Sequence, residues 1–181
     1  MNEIHAGGTM TQGAQTLIAR ANVRMNLAYQ HLLAAASFAR SAQALEAQNL
    51  DQPFGEFFSD IIGYVSGSVI MSVAALEAYI NEVFVDYQIY FPDRDAVIFE
   101  LLWEAIKKSD KTLDKYQTAL KLNRVSLFEI GKNPYQDAKL LIGLRNELVH
   151  FKPEWDDDAN EHIKLATKLE SKIDFSPFVE G

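Results

Sequence analysis

The chain has 181 residues, 48 % of them apolar and 23 % charged, with a formal net charge of −8 and no cysteine. This length and composition suit one soluble globular domain with room for a sizeable core. The acidic balance argues against a general polyanion binder. The missing cysteines exclude disulfides, thiolate catalysis and Cys-type zinc sites, and they suit a reducing, cytoplasmic home.

Residues 1–13, rich in Gly and Thr, read as a flexible arm. They lack the basic region and apolar run of a signal peptide. Residues 14–49 are rich in Ala, Leu, Gln and Arg, and Leu17, Ala21, Leu27, Leu32 and Phe38 fall at helical spacing. Asp51, Pro53 and Gly55 break the chain. A second long helix is expected over 57–90, with Ile61, Val65, Val69, Val73, Leu76, Ile80, Phe84 and Tyr87 recurring every three or four residues. Its uncharged part, "IIGYVSGSVIMSVAAL" (61–76), is shorter than the roughly 20 residues of a membrane span. Asp60 and Glu77 bracket it, and it reads as a helix buried inside protein, with no membrane partner.

Asp95 is placed to cap a helix over 96–108, and a shorter helix follows over 112–122. "RVSLFEIGKNP" is an irregular connection with room for a brief extended piece. Asn133 and Pro134 mark the start of a helix running to about His150, with Pro134 at its first position. Pro153 ends that region, and Asp157 or Asp158 can cap a last helix reaching about Lys172. Residues 173–181 form an irregular tail. The expected architecture is all-α: a single up-down bundle over 14–172 of four to five main helices, two long ones first and shorter ones after.

Charge is uneven along this chain. Residues 107–152 hold ten Lys or Arg and five Asp or Glu, a net of +5, which leaves −13 for the remainder. Such a basic third can guide a phosphate to one place, or it can be no more than solvated helix faces.

On a helical wheel of residues 134–151, Leu140, Leu141, Leu144 and Leu148 gather on one side as a core face. Asn146 and His150, four apart, project together from nearly the opposite side with Lys139 and Gly143. Arg145 sits at the edge of the core face, roughly 140° around the axis from His150, so within one straight helix the two do not converge. They meet if the helix ends at His150, or if a second copy of the surface faces the first across a two-fold axis. Gly143 removes bulk from the outer face, and Ile142 and Val149 flank it with apolar surface for a partner. The plain reading stands beside these: a histidine in a last helical turn interacts well with the helix dipole and needs no other role.

The stretch "LRNELVHF" (144–151) resembles the signature of the HEPN superfamily: an arginine, often followed by a polar residue, then a histidine after four to six residues. Arg145, Asn146 and His150 match it. "VAALEAYINEVF" (73–84) is similar to the long helix of a bacterial branch with a Leu-Glu-x-x-x-Asn pattern, here Leu76, Glu77 and Asn81. The resemblance covers residues 14–172 in helix order. It implies a four- or five-helix bundle that forms a homodimer with the signature facing its copy. It also implies, for many members, metal-independent endoribonuclease activity of toxin or defence type, with no cofactor and an antitoxin or nucleotidyltransferase as partner. Other members are non-catalytic modules binding RNA, nucleotide or protein.

The chemistry suits the residues. Metal-free RNA cleavage needs a base for the 2′-hydroxyl proton and an acid for the leaving oxygen, and imidazoles of two subunits can divide these tasks. A guanidinium matches the charge gathering on the phosphorane, and Asn146 can orient His150 or bind a phosphate oxygen. Glu77 and Asn81 share a face of the second helix. A carboxylate in so apolar a segment wants a partner: either Arg145 pairs with it, or Glu77 simply reaches solvent. The other histidines are set apart: His5 in the arm, His31 and His162 isolated. The acidic run "EWDDD" (154–158) reads as the solvated start of a helix rather than a metal site.

Overall fold

The computed structural model describes residues 5–7, 20–22, 25–53, 55–109, 111–151, 160–174 and 176–178. Among them seven helices pack into an all-α bundle: α1 (Ala28–Asn49), α2 (Phe57–Val85), α3 (Tyr87–Tyr90), α4 (Ala96–Ile106), α5 (Thr112–Leu122), α6 (Tyr135–Val149) and α7 (Asn160–Leu169). A pair of three-residue antiparallel strands, β1 (His5–Gly7) and β2 (Arg20–Asn22), precedes them, with Ala6 opposite Ala21.

The first long helix begins at Ala28, not at residue 14. Composition favours helix further upstream, but residues 20–22 pair as β2 instead; helices of this kind depend on packing more than on propensity. The Ala28 N–H donates to Glu82 Oε1 at 2.9 Å, which ties the start of α1 to the end of α2. The two helices run antiparallel with Ala35 and Ala42 buried. They lie close together at Gly67, where an added Cβ would lie 3.0 Å from the Phe38 ring. Leu17, expected in the first helix, and Asp157 or Asp158, expected to cap the last one, lie outside the described residues.

The second expected helix is split. α2 ends at Val85, Asp86 leaves helical geometry (φ −91°, ψ 32°), and the short α3 follows. The bend turns the buried Phe91 back into the bundle, where its ring lies 6.2 Å from Phe84 and 4.8 Å from Phe99. Phe84 also stacks on Trp103 at 6.0 Å. This aromatic group, with Ile80, Val83 and Ala119, forms one contiguous core cluster. Val65, expected in the apolar stripe, is exposed. On length and composition α2 can cross a membrane, and only 17 % of its most apolar window is buried, so the expectation of a helix enclosed by protein holds only in part.

Asp95 caps α4 as expected, its carboxylate accepting from Val97 N at 2.9 Å and Ile98 N at 3.1 Å. α4 stops at Ile106, two residues early, and the freed Lys107 carbonyl accepts from Lys115 Nζ at 3.5 Å. The connection after α5 has no extended element. Pro134 is the residue before α6 rather than its first, and the Asn133–Pro134 peptide is cis. α6 buries none of its residues fully. Its leucine face is only partly covered, and Leu148, expected in the core, is 38 % exposed.

Candidate functional site

α2 is the floor of the site. Glu77, Ile80 and Asn81 lie on one face of it, and Ile80 is buried in the aromatic core, so the polar pair is fixed in direction by the packing beneath it. The opposite wall is α6, which brings Ile142, Arg145, Asn146, Glu147 and His150. The α4–α5 link and the first turn of α5 close one side with Lys107, Lys108, Ser109, Thr112 and Lys115, and His162 of α7 closes another. The space between them is about 780 Å³, within the range of small-ligand sites.

Glu77 and Arg145 form the expected ion pair: Arg145 Nη2 donates to Glu77 Oε1 at 2.5 Å, with side chains 24 % and 39 % exposed for Arg145 and Glu77. Thr112 Oγ1 donates to the same carboxylate oxygen at 3.5 Å. Arg145 Nε is buried and has no hydrogen-bond partner among the described residues. Arg145 and His150 line one cavity although a straight helix would separate them. The reason is the helix end: α6 stops at Val149, and His150 is already out of helical geometry at φ −112°, ψ 29°, while its N–H still donates to the Asn146 carbonyl. Asn146 is exposed at the rim and makes no side-chain hydrogen bond among the described residues.

Three contributors were not singled out by sequence reasoning. Lys115 is only 6 % exposed; its ammonium donates to Asn81 Oδ1 at 3.0 Å. Burial pushes its pKa below the usual lysine value, against the opposing pull of Glu77. Thr112 is equally buried. His162, judged isolated along the chain, lies beside the signature, with Nδ1 3.9 Å from Glu147 Oε2 and its ring 5.6 Å from that of Phe151. The next residue of α5, Tyr116, donates its hydroxyl to the Leu76 carbonyl at 2.9 Å, and burial pushes its pKa up to about 12. The helical spacing of Thr112, Lys115 and Tyr116 was the available signal, but nothing local tells that α5 lies on α2.

The lining holds four Lys or Arg and two Glu, a net of +2 with the histidines neutral, in a chain of net −8. The basic third of the sequence therefore gathers in part around this cavity, which suits an anion. Of the proposed interface residues, Val149 is exposed, Ile142 lines the cavity, and Gly143 lines a second, smaller groove between α6 and α7. A Cβ on Gly143 would meet nothing within 4 Å. Among the described residues, no three His, Cys, Asp or Glu side chains gather as metal ligands; the acidic run 154–158 lies outside them. The fold and site together define a helical bundle with a cationic, solvent-open pocket. Searches against known protein families, curated proteins and solved structures each return no match.

Proposed function

We propose that this chain is a HEPN-like, metal-independent endoribonuclease of toxin or defence type, working in the cytoplasm as a homodimer with a composite active site. The observation that carries the reading is the convergence of Arg145, Asn146 and His150 on one cationic cavity, with Arg145 oriented by Glu77. In the reaction, a histidine takes the proton of the ribose 2′-hydroxyl and the freed oxygen bonds to phosphorus. The phosphorus–5′-oxygen bond breaks, and the leaving oxygen takes a proton from a second acid. His150 of one protomer is the base and His150 of its copy the acid. Arg145 neutralises the charge on the equatorial oxygens, and Asn146 orients the imidazole or holds an oxygen. Ile142, Gly143 and Val149 form the surface on which the two copies meet. In a toxin setting, an antitoxin or nucleotidyltransferase is the natural partner.

Incubation of the purified protein with single-stranded RNA in EDTA tests this. Cleavage leaving a cyclic phosphate is expected, and Arg145→Ala or His150→Ala should lower it by about 10²- to 10⁴-fold. Val149→Asp should lower both activity and the dimer fraction seen by sedimentation. Binding that persists with no cleavage would favour the second reading, a non-catalytic module taking RNA, nucleotide or a protein partner. The net charge of −8 favours that reading, because it weakens the general attraction of a long RNA that a broad-acting nuclease uses.

A further inference from the structure

Arg145 and Lys115 are held by different residues of the same helix face. Glu77 takes the guanidinium and Asn81 takes the ammonium. These anchors are one turn apart, about 6 Å along the α2 axis. Both cations line the same cavity. Among the described residues that accept from the two cations, only Glu77 is a carboxylate: Asn81 and the Lys107 carbonyl are neutral, and Glu147, the other carboxylate of the lining, accepts from neither. The group of Glu77, Arg145 and Lys115 thus carries a net charge of +1, with Lys115 itself buried. Such a charge is costly unless an anion completes it.

We propose that Lys115 is a second phosphate anchor: Arg145 holds one phosphate of a single-stranded nucleic acid and Lys115 holds the neighbouring phosphate of the same strand. This rests on the reading of the cavity as a nucleic-acid phosphate site. The offset of the anchors is wider than the span between two oxygens of one phosphate. It suits an extended strand, which steps further per phosphate than the roughly 3.4 Å of axial rise in a duplex. The depressed basicity of the buried ammonium agrees with this, since burial outweighs the pull of Glu77 and a ligand phosphate would stabilise the charge further.

The test is equilibrium binding of two uncleavable 2′-O-methyl probes, a dinucleoside monophosphate and a trinucleoside diphosphate. The wild type should bind the longer probe more tightly. Lys115→Met, which keeps the aliphatic stem, should weaken the longer probe about tenfold and leave the shorter within twofold. It should also lower the salt sensitivity of binding for the longer probe. Lys115→Arg should restore both. Should Lys115→Met lose helical content, Asn81→Ala, which unties the ammonium, takes its place with the same expected pattern. Equal weakening of both probes, or weakening of neither, overturns the proposal alone. If Arg145→Ala leaves the shorter probe unaffected, or the wild type binds neither probe, the phosphate-site reading itself falls, and the proposal with it.

Discussion

Replacing Glu77 by alanine removes the acceptor for two donors, Arg145 Nη2 at 2.5 Å and Thr112 Oγ1 at 3.5 Å. The size of the effect follows from how wet the pair is. An exposed ion pair contributes about 0–1 kcal/mol, and breaking a buried one costs about 3–5 kcal/mol. With Arg145 24 % and Glu77 39 % exposed, solvent screening brings the expected loss towards the lower range. A loss of about 1.5–2 kcal/mol is expected. For a domain of this length that lowers the thermal midpoint by roughly 3–8 °C. Glu77→Gln keeps an oxygen acceptor without its charge and should lose about half as much, as neutral hydrogen bonds are roughly half as strong as charged ones. A double-mutant cycle with Arg145→Ala, followed by urea unfolding, isolates the pair, with an expected coupling of about 1 kcal/mol that shrinks in high salt. A coupling below about 0.3 kcal/mol, within the error of such cycles, would mean that Glu77 does not hold Arg145 in solution.

Three other outcomes are expected. Gly67→Ala should be less stable than Gly63→Ala by about 1–3 kcal/mol, because both gain helix propensity but only the Cβ at 67 crowds a neighbour, the Phe38 ring at 3.0 Å, while that at 63 meets nothing within 4 Å; urea midpoints of the two variants check this. Asp95→Ala removes the cap on Val97 N and Ile98 N and should cost about 1 kcal/mol in the same assay. For pH dependence, Lys115 binds its proton less tightly when folded than when unfolded. Its contribution to stability therefore rises with pH between its lowered value and 10.5. Tyr116, raised from 10.0 to about 12, acts oppositely: its contribution is full below 10.0 and is lost as pH rises through about 12. Denaturation of Lys115→Met and Tyr116→Phe across alkaline pH should each erase one slope.

The helices were legible wherever a residue's partner lay in its own periodicity. The 3–4 spacing from Ile61 to Phe84 gives α2, and Asp95 gives the start of α4. The Glu77–Arg145 pair was legible as one of two readings, since a carboxylate in an apolar helix either finds a cation or reaches solvent, and Arg145 lay at the edge of its own core face. What depended on tertiary contact was not. α1 starts at Ala28, with residues 20–22 paired as β2, α2 bends at Asp86 to return Phe91 to the core, and Lys115 acquires meaning only because α5 crosses α2 at Asn81. The helical wheel separated Arg145 from His150 because it assumed a helix continuing through His150, and the backbone leaves the helix at that residue.

The cavity has two walls of unequal stiffness. The α2 wall is anchored through Ile80 and Phe84, which are 2 % and 1 % exposed, while the α6 wall has no fully buried residue. Opening on the α2 side would unpack the aromatic core, whereas α6 can shift against a partly covered leucine face. The width of the site is therefore set by α6. Amide hydrogen exchange should register an anion as slowed exchange along α6, with the amides around Ile80 already protected and unchanged.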